Sequence, residues 1–225
     1  SQRCSIGSYE AQPTQSEFEA RAEELANGIR LLESDVVLLQ EVESEASLEA
    51  ISTALNDEYS TLVMGETGGA ASLDVAILAR LPMISRFSHV EEPIEFINQP
   101  GSTYFIRELL EVHFELGTSR LIVFNAHFRS KYRDDPEQRL AEASAARAII
   151  AERAASHPDA LVVFGGDLND LPGSAPLNAI EDGDLLDRVS EELGDNAGTH
   201  VYNGNSQAID HLYVFKNEVG SYQPG

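Results

Sequence analysis

Val162-Val-Phe-Gly-Gly-Asp-Leu-Asn-Asp170 is the stretch whose reading decides the fold. A β-branched apolar run stops at two glycines and then presents Asp167 and Asn169 two positions apart. This reads as a buried strand ending at a tight turn. The turn lifts a carboxylate and an amide to one sheet edge, where a cation or a phosphate meets both. Strand-Gly-Gly-Asp turns also occur in plain loops, so the weight falls on three further segments of the same kind.

Val36-Val-Leu-Leu-Gln-Glu41 delivers Glu41 at the C-terminal end of an apolar run. Leu121-Ile-Val-Phe-Asn-Ala-His127 delivers Asn125 and His127, which share one strand face because side chains alternate. Ala208-Ile-Asp-His-Leu-Tyr-Val214 places Asp210 and His211 at a strand entrance. Acids, amides and imidazoles at strand ends make a hard-cation site with acid/base groups beside it. Oxygen ligands in low number suit Mg2+ or Mn2+ rather than zinc. The chemistry favoured there is metal-assisted attack of water on a phosphate ester.

The order Gln-Glu, Asn-x-His, Gly-Asp-x-Asn, Asp-His resembles the endonuclease/exonuclease/phosphatase superfamily, over residues 16–215. Each motif is short, and the signal lies in four of them in order. The resemblance implies an α/β fold: a four-layer α/β/β/α sandwich of two mixed sheets flanked by helices, with the site at one end. It also implies roles. Glu41 and Asp210 would hold the metal, Asp210 alternatively orienting the imidazole. Asp167 would orient or deprotonate water, and Asn169 would hold that water or a phosphate oxygen. His127 would act as general acid or phosphate ligand supported by Asn125, and His211 as an imidazolium on the scissile phosphate. Each residue has an ordinary alternative: Glu41 as a strand-edge acid, Asp167 as a cap, the histidines as hydrogen-bonded structural groups.

Relatives carry an Asn in the first strand, ahead of the first helix. In this chain Ser5-Ile-Gly-Ser-Tyr-Glu10 offers Glu10 there. The Asn is thus replaced or its strand is absent, which puts the activity of this exact chain in question more than its family.

Composition fits one enzyme-sized domain over residues 1–225, with trimming at its N-terminus left open by a start other than Met: 225 residues, 42% apolar, without a linker or repeat. No apolar run approaches a membrane span. The first residue is not Met, so cytoplasmic and secreted locations both stay open, and Cys4 alone can form no intrachain disulfide. Against 38 acids stand 15 bases, a net charge of −23. Such a surface repels polyanions, which argues against DNA binding through a basic face but not against a local site. Solubility or high-salt adaptation is the plainer explanation.

The chain alternates helices and strands. Ser16-Glu-Phe-Glu19 fits a capping box opening a helix over 16–33, with Phe18, Ala22, Leu25, Ile29 and Leu32 on its buried face. A strand over 35–42 and a helix over 47–55 follow. Strands are expected over 59–64, 73–79, 83–90, 104–114 and 120–125, then a helix over 135–156 closed by Pro158. Second-tier site candidates are Arg107, Asp74 and the basic group Arg129, Lys131, Arg133 and Arg139. His89, His113, His157 and His200 lack partner motifs and read as structural. No Gly-x-Ser-x-Gly elbow, Lys-ended phosphate loop or Cys/His zinc spacing competes. The reading is a Mg2+- or Mn2+-dependent phosphoesterase acting on a phosphoester substrate, nucleic acid first. A phosphomonoesterase, a lipid-headgroup phosphodiesterase and a catalytically inactive binding module are the alternatives. The sequence says nothing of oligomeric state.

Overall fold

The computed structural model describes residues 13–65, 73–189, 191, 194 and 198–217; Cys4 and Glu10 lie outside them. The chain opens with helix α1 (Gln15–Leu32), strand β1 (Val36–Val42) and helix α2 (Glu45–Ala54). Strands β2 (Thr61–Gly65), β3 (Asp74–Ala79) and β4 (Met83–Ser88) follow, then the short pair β5 (Ile94–Glu95) and β6 (Ser102–Thr103). Next come β7 (Leu110–Leu116), β8 (Ser119–His127), the long helix α3 (Pro136–Ser156), β9 (Ala160–Asp167) and α4 (Ala175–Glu181). Strand β10 (Leu186–Arg188), the hairpin β11 (His200–Tyr202) and β12 (Asn205–Gln207), and β13 (Asp210–Phe215) complete the described chain.

The main sheets have the orders β1-β3-β2 and β10-β13-β9-β8-β7-β4. The larger is mixed, because β8 and β9 run parallel across the α3 crossover while its other pairs are antiparallel. The described strands of the smaller sheet are all antiparallel.

Alternation along the strands sorts side chains into three cores. Val75, Ile77 and Ala79 of β3 meet Leu110, Val112, Phe114, Leu121 and Val123 between the sheets. Ala76 and Leu78 turn the other way, onto Ala22, Ala26 and Ile29 of α1 and Leu48 and Ile51 of α2. Ile122, Phe124, Val162, Phe164 and Tyr213 pack under Ala143, Ala146 and Ile150 of α3 and Leu177 of α4. Burying an aromatic such as Phe164, which stacks on Tyr213 at 5.9 Å, contributes roughly 2–3 kcal/mol. The result is the expected α/β/β/α layering.

Local expectations shift in three places. The capping box is Thr14 with Glu17, not Ser16 with Glu19: Thr14 accepts from the Glu17 N–H while Glu17 reaches back to the Thr14 N–H at 2.8 Å. The helix therefore buries Ala22, Ala26 and Ile29, and Leu32 stands 63% exposed. The strand expected over 104–114 begins only at Leu110, so Arg107 lies on a non-strand segment whose backbone is free to turn towards the site.

Gly166 makes the larger sheet possible where it matters. Its φ is +136°, and a Cβ there would lie 1.9 Å from the Ala126 carbonyl oxygen. The β8–β9 pairing leaves room for hydrogen alone. Gly166→Ala is expected to cost at least about 3 kcal/mol, read as a lower urea midpoint at unchanged m-value; an unshifted midpoint would show that the strands can separate without cost.

Candidate active site

Three neighbouring strands bring their polar ends to one level. His127 of β8 pairs with Asp167 of β9, and Asp167 pairs with Asp210 of β13. Paired residues point to one side of a sheet, so the three side chains face together towards the smaller sheet. Asp167 and His127 are in contact, Oδ2 to Nε2 at 3.6 Å.

Glu41 comes from the opposite sheet. The β1–β3 register gains one residue between Leu39 and Val42, a bulge, and Glu41 sits in it with φ 58°. A bulge re-aims a side chain; this one turns Glu41 out of the strand alternation. Asn125 fixes the bulge. Its Nδ2 donates to the carbonyls of Leu39 (3.0 Å) and Ala76 (2.9 Å), and its Oδ1 accepts from Gln40 Nε2 (2.8 Å). Both amide hydrogens are used and the residue is fully buried. Asn125 thus ties the sheets together under Glu41 and has no donor left to offer a substrate, contrary to its expected place beside His127.

Asn169 is the other left-handed residue at the site, with φ 53°. Its N–H donates to Asp167 Oδ1 at 2.8 Å and its Nδ2 to the Phe128 carbonyl at 3.1 Å, closing the turn onto the loop after β8.

The electrostatics are those of crowded acids. Burial pushes the Asp167 carboxyl up to about 6, and the charges of Asp210 and Glu41 add to it, against the Asn169 N–H and Arg107. Burial, then the positive charge of Arg107, drives the His127 imidazole down to about 3. The His127–Asp167 contact is therefore not an ion pair: the imidazole is neutral across the physiological range. Arg107 is lowered by burial and by neighbouring Arg129, while Glu142, Glu41 and Asp167 oppose the shift. Its Nη1 donates to the Phe128 carbonyl at 3.2 Å.

A hard divalent cation fits this donor set. Glu41, Asp167 and Asp210 offer oxygen donors within electrostatic reach of Asp167, whose charge is already penalised, and a cation would relieve that penalty. Among the described residues no three ligands are closed onto one point.

His211 falls elsewhere. Adjacent strand residues face opposite ways, so with Asp210 at the site His211 turns to the helix side, beside Tyr213 at 6.3 Å. Its Nε2 contacts the Asp170 carbonyl at 3.0 Å, and burial lowers its pKa. It faces away from the row of acids, and burial disfavours the charge expected of it. The basic group also divides. Arg139 is buried and pairs with Asp170 (3.0 Å) and Asp134 (2.6 Å), bracing the Asp167 turn instead of gripping a substrate. Lys131 pairs with Asp170 at 2.9 Å, and the Arg133 guanidinium lies over the Tyr132 ring. Arg129 remains beside Arg107. Asp74 is buried at the start of β3 and engaged. His89 and His113 are structural, as expected: both bond to buried Glu111, which Arg153 also holds. Burial opposes ionisation of Glu111, but these bonds hold it down to about 2.

The sequence reading missed Glu142, wholly buried on α3, whose oxygens accept the N–H groups of Ile106 and Arg129. A signal existed: Gln138, Arg139 and Glu142 interrupt the alanine-rich face that α3 buries.

The model of the Endonuclease/Exonuclease/phosphatase family matches residues 9–221. No curated protein sequence matches the chain at a significant level. Among solved structures, D. rerio TDP2 complexed with single strand DNA product gives a TM-score of 0.65 at 19% identity, over 92% of this chain and 80% of that one. Beta toxin 275-280 from Staphylococcus aureus gives 0.67 at 16%, over 92% and 81%. The human Nocturnin catalytic domain with bound sulfate anion gives 0.68 at 13%, over 92% and 77%. Identities this low speak for the fold alone, and the fold agrees with a family match spanning most of the sequence. The chain belongs to the Endonuclease/Exonuclease/phosphatase family.

Proposed function

We propose that this single-domain chain is a divalent-metal-dependent phosphoester hydrolase of nuclease type, cleaving a phosphodiester by in-line attack of water. The observation that carries the reading is the Asp167 carboxyl, raised to about 6 by burial with the charges of Asp210 and Glu41 adding to it. A group at that value is ionised at pH 7–8, yet basic enough to take a proton from water. Asp167 is the general base, and the Asn169 turn holds its carboxylate in place. Glu41 and Asp210 would hold Mg2+ or Mn2+, which supplies positive charge to the phosphoryl oxygens and acidifies water. Neutral His127 donates a hydrogen bond and carries no charge; Arg107 provides the cation expected of a histidine. Asn125 acts by fixing Glu41, and His211 has no part in the step. Nucleic acid is the preferred substrate class, supported by the single-strand DNA held by a TDP2 of the same fold.

Three outcomes test this. In Mn2+ or Mg2+, the chain is expected to cleave at least one of plasmid DNA, single-stranded RNA and a bis-aryl phosphodiester, and Asp167→Asn to abolish turnover. The sign for stability is opposite. A carboxyl whose folded pKa exceeds its unfolded value of 3.8 stabilises at low pH, and that contribution is lost as pH rises through about 6. Asp167→Asn should then raise the metal-free Tm at pH 8 by about 2–6 °C and leave it little changed at pH 4. A Tm that falls equally at both pH values would contradict the crowding of acids.

The two histidines separate cleanly. His127→Ala is expected to lower kcat at least about 100-fold, while His211→Phe keeps kcat within about threefold and loses about 1–2 kcal/mol of stability. The reverse pattern would restore His211 to the reaction. The net charge of −23 gives a third test. Added salt screens its repulsion of a polyanion, so kcat/KM on an oligonucleotide should rise between about 20 and 150 mM NaCl. A steep fall would point to a basic binding face instead.

A further inference from the structure

We propose that Glu142 is a positioning residue that aligns Arg107 and Arg129 as a two-guanidinium clamp for the substrate phosphate. The inference rests on the phosphoester reading above and names how the site would hold its anion.

Glu142 is 0% exposed. Its Oε1 accepts the Ile106 N–H at 3.0 Å and Gln138 Nε2 at 3.3 Å, and its Oε2 accepts the Arg129 N–H at 2.8 Å. These two amides belong to separate segments, one entering β7 and the other leaving β8. Neither segment is held there by a sheet ladder. Each amide sits at an arginine: Ile106 precedes Arg107, and the second belongs to Arg129 itself. The segments also touch each other, since Arg107 Nη1 donates to the Phe128 carbonyl. A closed circuit results, from Glu142 through Ile106 and Arg107 to Phe128, Arg129 and back.

Burial pushes the Glu142 carboxyl up to about 7, and the Arg129 and Ile106 N–H groups, Gln138 and the charge of Arg107 work against that rise. Burial lowers the pKa of Arg107, the positive charge of Arg129 adds a smaller push the same way, and Glu142 is the strongest charge opposing that shift. Arg129 Nε is buried without a hydrogen-bond partner among the described residues. Arg129 Nη2 donates to the Arg133 carbonyl at 3.5 Å, a weak bond that a phosphate oxygen would replace, and paired guanidinium groups suit the non-bridging oxygens of a tetrahedral phosphate. Gln138 steadies the arrangement, donating to the Tyr104 carbonyl at 2.8 Å and accepting from Thr103 Oγ1. Glu142 does not touch the reacting atoms; it acts through the two arginines.

Glu142→Gln preserves volume and one acceptor but sets an NH2 group against one of the two amides. The experiment compares this variant with the parent in four measurements: amide hydrogen exchange at Ile106 and Arg129, inorganic phosphate Kd, Mn2+ Kd, and KM and kcat on a bis-aryl phosphodiester. Faster exchange at those amides is expected, with phosphate Kd and KM raised about tenfold or more, kcat changed less, and Mn2+ Kd unchanged. Glu142→Asp, which keeps both acceptors, should recover part of the loss. Phosphate Kd and KM within twofold of the parent would overturn the proposal. So would equal losses of phosphate and Mn2+ affinity, the mark of a general structural defect. A parent that binds phosphate but turns nothing over sinks the hydrolase reading alone, and the phosphate Kd of the variant then decides. A parent that does not bind phosphate overturns both.

Discussion

The Asn125 amide is the interaction on which the rest of the site depends. Its two N–H groups span the gap between the sheets, and its oxygen receives Gln40 from the bulge that carries Glu41. Two β-sheets packed through apolar side chains can slide with little penalty, because dispersion and burial are not directional. Hydrogen bonds to two main-chain carbonyls are directional, and inside a dry interface an unmet partner is costly. Asn125 therefore sets how far apart and at what offset Glu41 and the row of His127, Asp167 and Asp210 stand. Gly165 and Gly166 complete that setting: a Cβ on Gly165 would meet Leu38 at 2.9 Å, and on Gly166 the neighbouring strand.

Bringing these acids together costs stability and gives reactivity from the same source. Burial and like charge raise Asp167 to about 6, a value that suits the base role proposed for it, and the same causes disfavour its charged form in the folded state. The surroundings limit the cost locally. Arg107 faces Asp167 and Glu41, and the buried Arg139–Asp170 pair braces the turn three residues beyond. The net charge of −23 does nothing to help, so on the proposed reading recognition of a polyanion would fall to the short-range geometry of a few guanidinium groups.

Much of this was legible in the sequence. An apolar run ending in an acid, as at Glu41 and Asp167, is a one-dimensional pattern, and the order of the four motifs carries the resemblance that implied the layering. Partners in three dimensions were not legible. Asn125 and His127 share a face, and nothing in Asn-x-His tells which residue meets the opposite sheet and which meets the opening. Asp210 and His211 were legible in principle: neighbours on a strand face opposite ways, so a site reached by one excludes the other. The capping box moved by two residues because Thr14 and Ser16 both stand three positions ahead of a Glu. The segment 104–114 looked like one strand because its first half is apolar, yet Tyr104 and Ile106 are exposed beside a turning backbone. Glu142 sits in an alanine-rich helix, where an acid normally means solvent; its place with Gln138 and Arg139 on the alanine face was the one hint of burial.

Helix α3 draws these strands of argument together. It is held to the sheet at both ends by buried carboxylate chemistry, Glu142 on α3 accepting from two loops at one end and Arg153 meeting Glu111 of β7 at the other. Between them lie alanines that fit closely but define position poorly along the helix axis. An apolar contact tolerates a shift of an ångström; a carboxylate bound to two particular amides does not. Polar pins at the ends of a smooth helix thus fix its register at a cost in desolvation. The register matters because the site-facing end of α3 reaches both arginines. A fold family shared by diverse phosphoesterases leaves substrate choice to loops, and here the loops with the site's cations answer to one buried carboxylate on the crossover helix.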